Sequence, residues 1–122
     1  MQSEVTCVPL DVGLEGIKYG EFDLSQYTNE PPFKSALFTV APGHATPRDT
    51  HSVRECWFVV AGLGMLHHSD ACYELRPGTM FTFDSNEPHF LENPYTDPIT
   101  IFSVWWERSD LINVLDQTCN HP

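Results

Sequence analysis

Gly43-His44-Ala45-Thr46-Pro47-Arg48-Asp49-Thr50-His51-Ser52-Val53-Arg54-Glu55, running on through an apolar stretch to Gly62, brings carboxylates and imidazoles close together in the chain. Asp49 and His51 are two apart, so on an extended chain their side chains leave the same face, with Cα atoms about 6.6 Å apart. That is close enough to converge on one ion. Glu55 lies about 13 Å further along if the chain stays extended, too far to share it. The three meet only if the chain turns near Ser52-Val53-Arg54 and Glu55 returns on the next strand. A second stretch, from Gly78 to Asn93, adds Pro88-His89 at the head of a strand and so a further candidate ligand. Imidazole with carboxylate suits first-row divalent metals, and two His with one carboxylate suit Fe(II) oxygen chemistry.

Working outward, the chain is cut into short runs by ten prolines and seven glycines. Residues 35–41 read as a strand closed by Pro42-Gly43. Residues 56–61 are rich in aromatic and β-branched side chains, and Gly62-Leu63-Gly64 turns them into 65–68. Residues 71–75, the turn Arg76-Pro77-Gly78, and residues 79–83, 89–93 and 99–106 complete the set. Strands every eight to twelve residues with turns between them predict an all-β sandwich or barrel. Helical spacing appears only near the end, where Ser109 caps a short C-terminal helix carrying Leu111, Ile112 and Leu115 on one face.

The 122 residues make a single domain, 1–122, with no repeat or linker. Hydrophobic residues at 41% exclude a disordered chain. Six Lys+Arg against 17 Asp+Glu leave a net charge of −11, which repels phosphate backbones and anionic lipid. Nucleic acid and membrane surface are therefore not expected partners, and the apolar run 56–61 is far too short to span a bilayer. Met1-Gln2-Ser3-Glu4 lacks the basic start and apolar stretch of a signal peptide. Cys7, Cys56, Cys72 and Cys119 form no CxxC pair and read as reduced thiols. A cytoplasmic domain is expected.

The two polar stretches resemble the two motifs of the cupins. The first motif is Gly, five residues, His-x-His, three or four residues, Glu, six residues, Gly; here it is Gly43, Asp49-Thr50-His51, Glu55 and Gly62. The second is Gly, five residues, Pro-x-Gly, two residues, His, three residues, Asn; here it is Gly78, Asp84-Ser85-Asn86, His89 and Asn93. Every spacing fits. The resemblance implies an antiparallel jelly-roll barrel and makes His51, Glu55 and His89 metal ligands. It places Asp49 where the family usually has its first histidine, so Asp49 is either a fourth ligand or a base, with Glu55 as the other candidate catalytic group. One divalent ion per chain is implied, Fe2+ first, with Zn2+ or Mn2+ as the other candidates. Asn and Asp are acceptable in the turn where the family has Pro and Gly.

Trp57 shares the parity of Glu55 and should face the barrel interior, while Cys56 points away. Trp105 and Trp106 face opposite sides of the last strand, and alternation turns one of His67-His68 inward. Trp57, His67 and Trp105 are the candidates for a substrate wall. His44 reads as a loop histidine, and His121 as part of the tail. Such a barrel suits a small-molecule substrate. The resemblance implies a metal-dependent enzyme acting on a small polar metabolite, of dioxygenase, isomerase, cyclase or lyase type, often in specialised metabolism. A zinc cupin that rearranges an amino-acid ester to form an N–N bond and a non-catalytic binding or sensing cupin are the alternatives. Phe58 and Val60 lie opposite Glu55 and could form the seam of a homodimer, a common state among similar cupins.

Overall fold

Side chains in a strand alternate between two faces, and this chain writes that alternation into most of its length. The computed structural model describes residues 4–27, 29–84 and 86–107. They form nine strands: β1 (Cys7–Leu10), β2 (Ile17–Phe22), β3 (Lys34–Val40), β4 (Arg54–Ala61), β5 (Gly64–His68), β6 (Ala71–Leu75), β7 (Met80–Phe83), β8 (His89–Glu92) and β9 (Ile99–Trp106). Every pairing between them is antiparallel. Six lie in one sheet in the order β1-β2-β3-β9-β4-β7, and three in a second, β6-β5-β8. The all-β expectation holds, and there is no helix among the described residues. The expected C-terminal helix around Leu111, Cys119 and His121 fall outside those residues.

The core sits between the sheets. Register stacks Phe38, Ile101 and Val59 in one row and Val40 with Ile99 in the next. Leu66, Leu75 and Leu91 close over them from the smaller sheet. Val40, Leu66, Ile99 and Ile101 are fully buried, each side chain worth about 1.5–3 kcal/mol of burial. On β4 the alternation is plain: Trp57 and Val59 are buried while Phe58 and Val60 stay exposed.

The β4–β5 turn depends on Gly62, whose φ is +81°. A Cβ there would lie 2.1 Å from the Pro98 carbonyl oxygen, so neither the backbone angle nor the space admits a side chain. Asn86 takes φ 65° in the turn before β8. It is one of the few residues that accept that angle in place of glycine.

A stretch without strand geometry of its own positions the polar residues. Residues 43–49 run antiparallel beside β8. Thr46 N donates to Leu91 O at 2.8 Å, and Asp49 and His89 exchange backbone hydrogen bonds at 3.0 Å. Asn93 is buried; its side-chain NH2 donates to Val40 O at 3.0 Å and Asp97 O at 2.8 Å, and its Oδ1 accepts from Tyr95 N at 2.9 Å. It ties the start of that stretch to β3.

Candidate metal centre

Residues 50–53 bend the chain between the stretch along β8 and the start of β4. That bend does what the extended spacing could not, and brings Glu55 back beside His51. The donor atoms of His51, Glu55 and His89 all lie within 4.8 Å of one another. His51 Nε2 and Asp49 Oδ2 are 4.0 Å apart. The Asp49 carboxylate is not a member of the trio, and lies beside it on the cavity wall.

Glu55 projects inward from β4, and Ser103 on the adjacent β9 donates to its Oε2 at 2.8 Å. Its other oxygen, Oε1, is 3.3 Å from His89 Nε2, yet it is buried without a hydrogen-bond partner. A buried carboxylate beside two imidazoles is a hard, anionic and neutral-nitrogen donor set of the kind that first-row divalent ions take, so the residues fit such an ion. His89 is buried, and its Nδ1–H donates to Glu87 O at 2.9 Å. A carbonyl only accepts, so this contact fixes the ring and turns Nε2 to the site.

The electrostatics of the metal-free site follow from these contacts. Burial pushes the Glu55 carboxyl up, but His89 and Ser103 outweigh it and hold the group below its ordinary value. Burial likewise pulls the His89 imidazole down. Contacts with Glu55 and the Glu87 carbonyl, and the nearby Asp49 charge, more than reverse this and raise it.

The trio opens onto a cavity of about 380 Å³. Trp57 and Trp105 are in its wall. Trp57 packs edge-on against Phe38, Phe83 and His89 with ring centroids 4.9–5.5 Å apart. His67 is not part of that wall, contrary to expectation. Alternation on β5 buries Leu66 and leaves His67 on the outer face. There it stacks on Phe90 at 4.3 Å and pairs with Glu92 at 2.7 Å. Its neighbour His68 is the inward member of the pair, against Phe81 and Phe83. His44 packs on Gly16 and is not among the residues that line the cavity.

Sequence reasoning missed Ser103, Tyr19, and the cavity wall formed by Val12, Leu14 and Ile17. The alternation of Ile17 and Tyr19 with Lys18 after Gly16 is the signal that could have placed β2.

A family model of the cupin domain matches residues 36–105, more than half of the chain. Among solved structures, the chain is similar to the plu4264 protein from Photorhabdus luminescens, at 19% identity over 88% of each chain with a TM-score of 0.72. It is also similar to a predicted oxalate decarboxylase from Thermotoga maritima, at 18% identity over 86% of this chain and 95% of that one, TM-score 0.69. A third is the Cupin_2 domain of an XRE family transcriptional regulator from Enterobacter cloacae, at 19% identity over 75% of this chain and 97% of that one, TM-score 0.65. At these identities the likeness is one of fold.

Proposed function

The chain is a member of the cupin family, and from that premise we propose that it is a divalent-metal-dependent enzyme acting on a small molecule held beside His51, Glu55 and His89. The observation that carries this reading is the convergence of the His51, Glu55 and His89 donor atoms, all within 4.8 Å of one another at a cavity. One ion per chain is proposed, iron before zinc or manganese. Such an ion supplies Lewis acidity or, as iron, redox capacity.

The chain's own residues supply the rest. Ser103 holds Glu55 through its second oxygen, and the Glu87 carbonyl holds the His89 ring, so two ligands are oriented before anything binds. Asp49 is half-exposed beside His51 and serves as proton acceptor at the cavity rim. Trp57 and Trp105 present apolar surface that displaces water from the bound molecule. The reaction class follows the metal. Iron would point to oxygen chemistry of dioxygenase type, whereas zinc or manganese would point to isomerase, cyclase or lyase chemistry, an N–N-forming rearrangement included. Specialised biosynthesis is the proposed setting.

Elemental mass spectrometry on anaerobically purified protein, wild type beside His51→Ala, tests the reading. Near-stoichiometric metal in the wild type and its loss in the variant are expected. Wild-type protein that takes up no metal after reconstitution sinks it.

A second reading, a binding or sensing module without turnover, draws support from the similarity to a domain of a transcriptional regulator. Asp49→Ala and His89→Ala separate the two. If both variants bind the wild-type ligand equally well and the wild type never turns it over, the enzyme reading is wrong.

We also propose a cytoplasmic homodimer. Cys7, Cys56 and Cys72 are free thiols, and no helix among the described residues is long and apolar enough to cross a membrane. Phe58 and Met80 sit side by side on the outer face of the larger sheet, and with Val60 they are 41%, 66% and 48% exposed. Light scattering at micromolar concentration should give twice the 13.9 kDa chain mass. A monomeric mass removes the claim.

A further inference from the structure

Among the described residues, fifteen line the cavity, and none of them is a lysine or an arginine. Its ligating and acidic groups, Asp49, His51, Glu55 and His89, share one side with Ser103. Another part of the lining comes from β2 and the loop between β1 and β2, and is formed by Val12, Leu14, Ile17 and Tyr19. The Tyr19 hydroxyl is already committed, donating to Glu21 Oε2 at 3.0 Å. Lys34, the cross-strand partner of Trp105, opens onto neighbouring hollows instead of this one.

An anionic group placed against that part of the lining would give up water and receive neither a counter-charge nor a free donor. It would also share the cavity with the carboxylates of Asp49 and Glu55, charges of its own sign. A hydrocarbon group in the same place loses nothing and gains burial against Val12, Leu14 and Ile17. The volume of about 380 Å³ holds about a dozen waters at roughly 30 Å³ each, which suits a molecule of about six to ten non-hydrogen atoms.

We propose that the cavity takes a small molecule with one polar, metal-directed end and an apolar body, such as a monocarboxylic, hydroxy or keto acid, and turns away one with a second anionic end. The polar end of this inference rests on the metal reading above. The apolar end rests on the lining alone.

Hexanoate and adipate share a six-carbon skeleton and differ by one carboxylate, so they isolate the claim. Metal-reconstituted protein is titrated with each, following the fluorescence of the cavity-wall tryptophans, and metal content is measured on the same samples. Hexanoate should bind at least about tenfold more tightly than adipate. Leu14→Arg, and separately Val12→Arg, should narrow or reverse that ratio by giving the second carboxylate a partner, with metal content unchanged. Adipate binding as tightly as hexanoate to the wild type overturns the proposal, and so does the absence of binding by either acid to metal-loaded protein. A sample that holds no metal yet prefers hexanoate defeats the metal reading and with it the metal-directed end, and leaves the apolar end standing. One that is fully loaded but shows no preference does the reverse.

Discussion

The two sides of the cavity are built on different principles. The side formed by residues 49–55, β8 and β9 is polar and tightly specified: Glu55 is held by Ser103, His89 by the Glu87 carbonyl, and Asp49 by the backbone of His89. The side formed by β2 and the β1–β2 loop is apolar and partly open, with Val12 40% and Leu14 41% exposed. Ligands must converge on a point, so their types and spacings are fixed. A wall must only fill space and shed water, which many sequences do equally well. One side should therefore be sensitive to single changes and the other tolerant.

The largest expected effect is at His89. His89→Ala removes a candidate ligand and strands the buried Glu55 carboxylate, whose Oε1 lies 3.3 Å from His89 Nε2. Metal affinity should fall by more than about 100-fold, beyond the range for a supporting contact. The metal-free protein should also lose up to about 3 kcal/mol, the scale for removing one partner of a buried ion pair. Metal content and thermal melting of the variant report the two losses separately. Wild-type metal content would show that the trio is not the centre. Ser103→Ala comes next. It leaves all three ligands in place but frees Glu55 Oε2, so metal affinity should drop about 10- to 100-fold with little change in fold. An unchanged affinity in a competition titration would reduce Ser103 to packing.

Acidity probes the same side without mutation. His89 is raised, so its contribution to metal-free stability is complete below the imidazole's unfolded value and vanishes as pH rises through its folded value. Glu55 is lowered, so its contribution is complete above the carboxyl's unfolded value and is lost as pH falls through its folded value. Both are in place together between the two unfolded values, about 4.5 and 6.5. Metal must displace the His89 proton, so its affinity should climb by about tenfold per pH unit until the raised imidazole value is passed. Competition titrations with a chelator across that range check the slope. A flat profile would mean that His89 is already neutral in the metal-free site.

The same contrast explains what could be read from the residues alone. The spacing of Gly43, His51, Glu55 and Gly62, and of Gly78, His89 and Asn93, carries the candidate metal centre and the family, because these positions answer to a fixed angle or a shared site. Gly62 is there for its φ and for the Pro98 carbonyl against it, and Asn86 keeps a left-handed turn where glycine would be usual. Glu55 could be placed only by supposing a bend, and the bend at residues 50–53 is there. β1 and β2 were not expected. Val8 and Leu10 are exposed, Pro9 interrupts the first and Gly20 the second, so neither reads as a buried strand. His67 shows the limit of parity arguments: alternation says that one of two neighbours turns inward, but which one depends on the register set by Leu66 in the core. Ser103 is missed for a related reason, since a serine in an apolar strand gains its meaning only from Glu55, 48 residues away.

The smallest expected effect is the sharpest test of the comparison. Replacing both Val12 and Leu14 with Ser removes apolar surface from the tolerant side, yet neither residue belongs to the buried core. Both are substantially exposed, so the loss of stability should stay within about 1 kcal/mol for the pair. Neither belongs to the trio, so metal content and its pH dependence should match the wild type. What should change is the affinity for an apolar-bodied probe such as hexanoate, which loses burial in proportion to the hydrocarbon removed, about 0.8 kcal/mol per CH2. If the double variant instead loses its metal, the loop and the trio form one cooperative unit, and the division of the cavity into a specified side and a tolerant side is wrong.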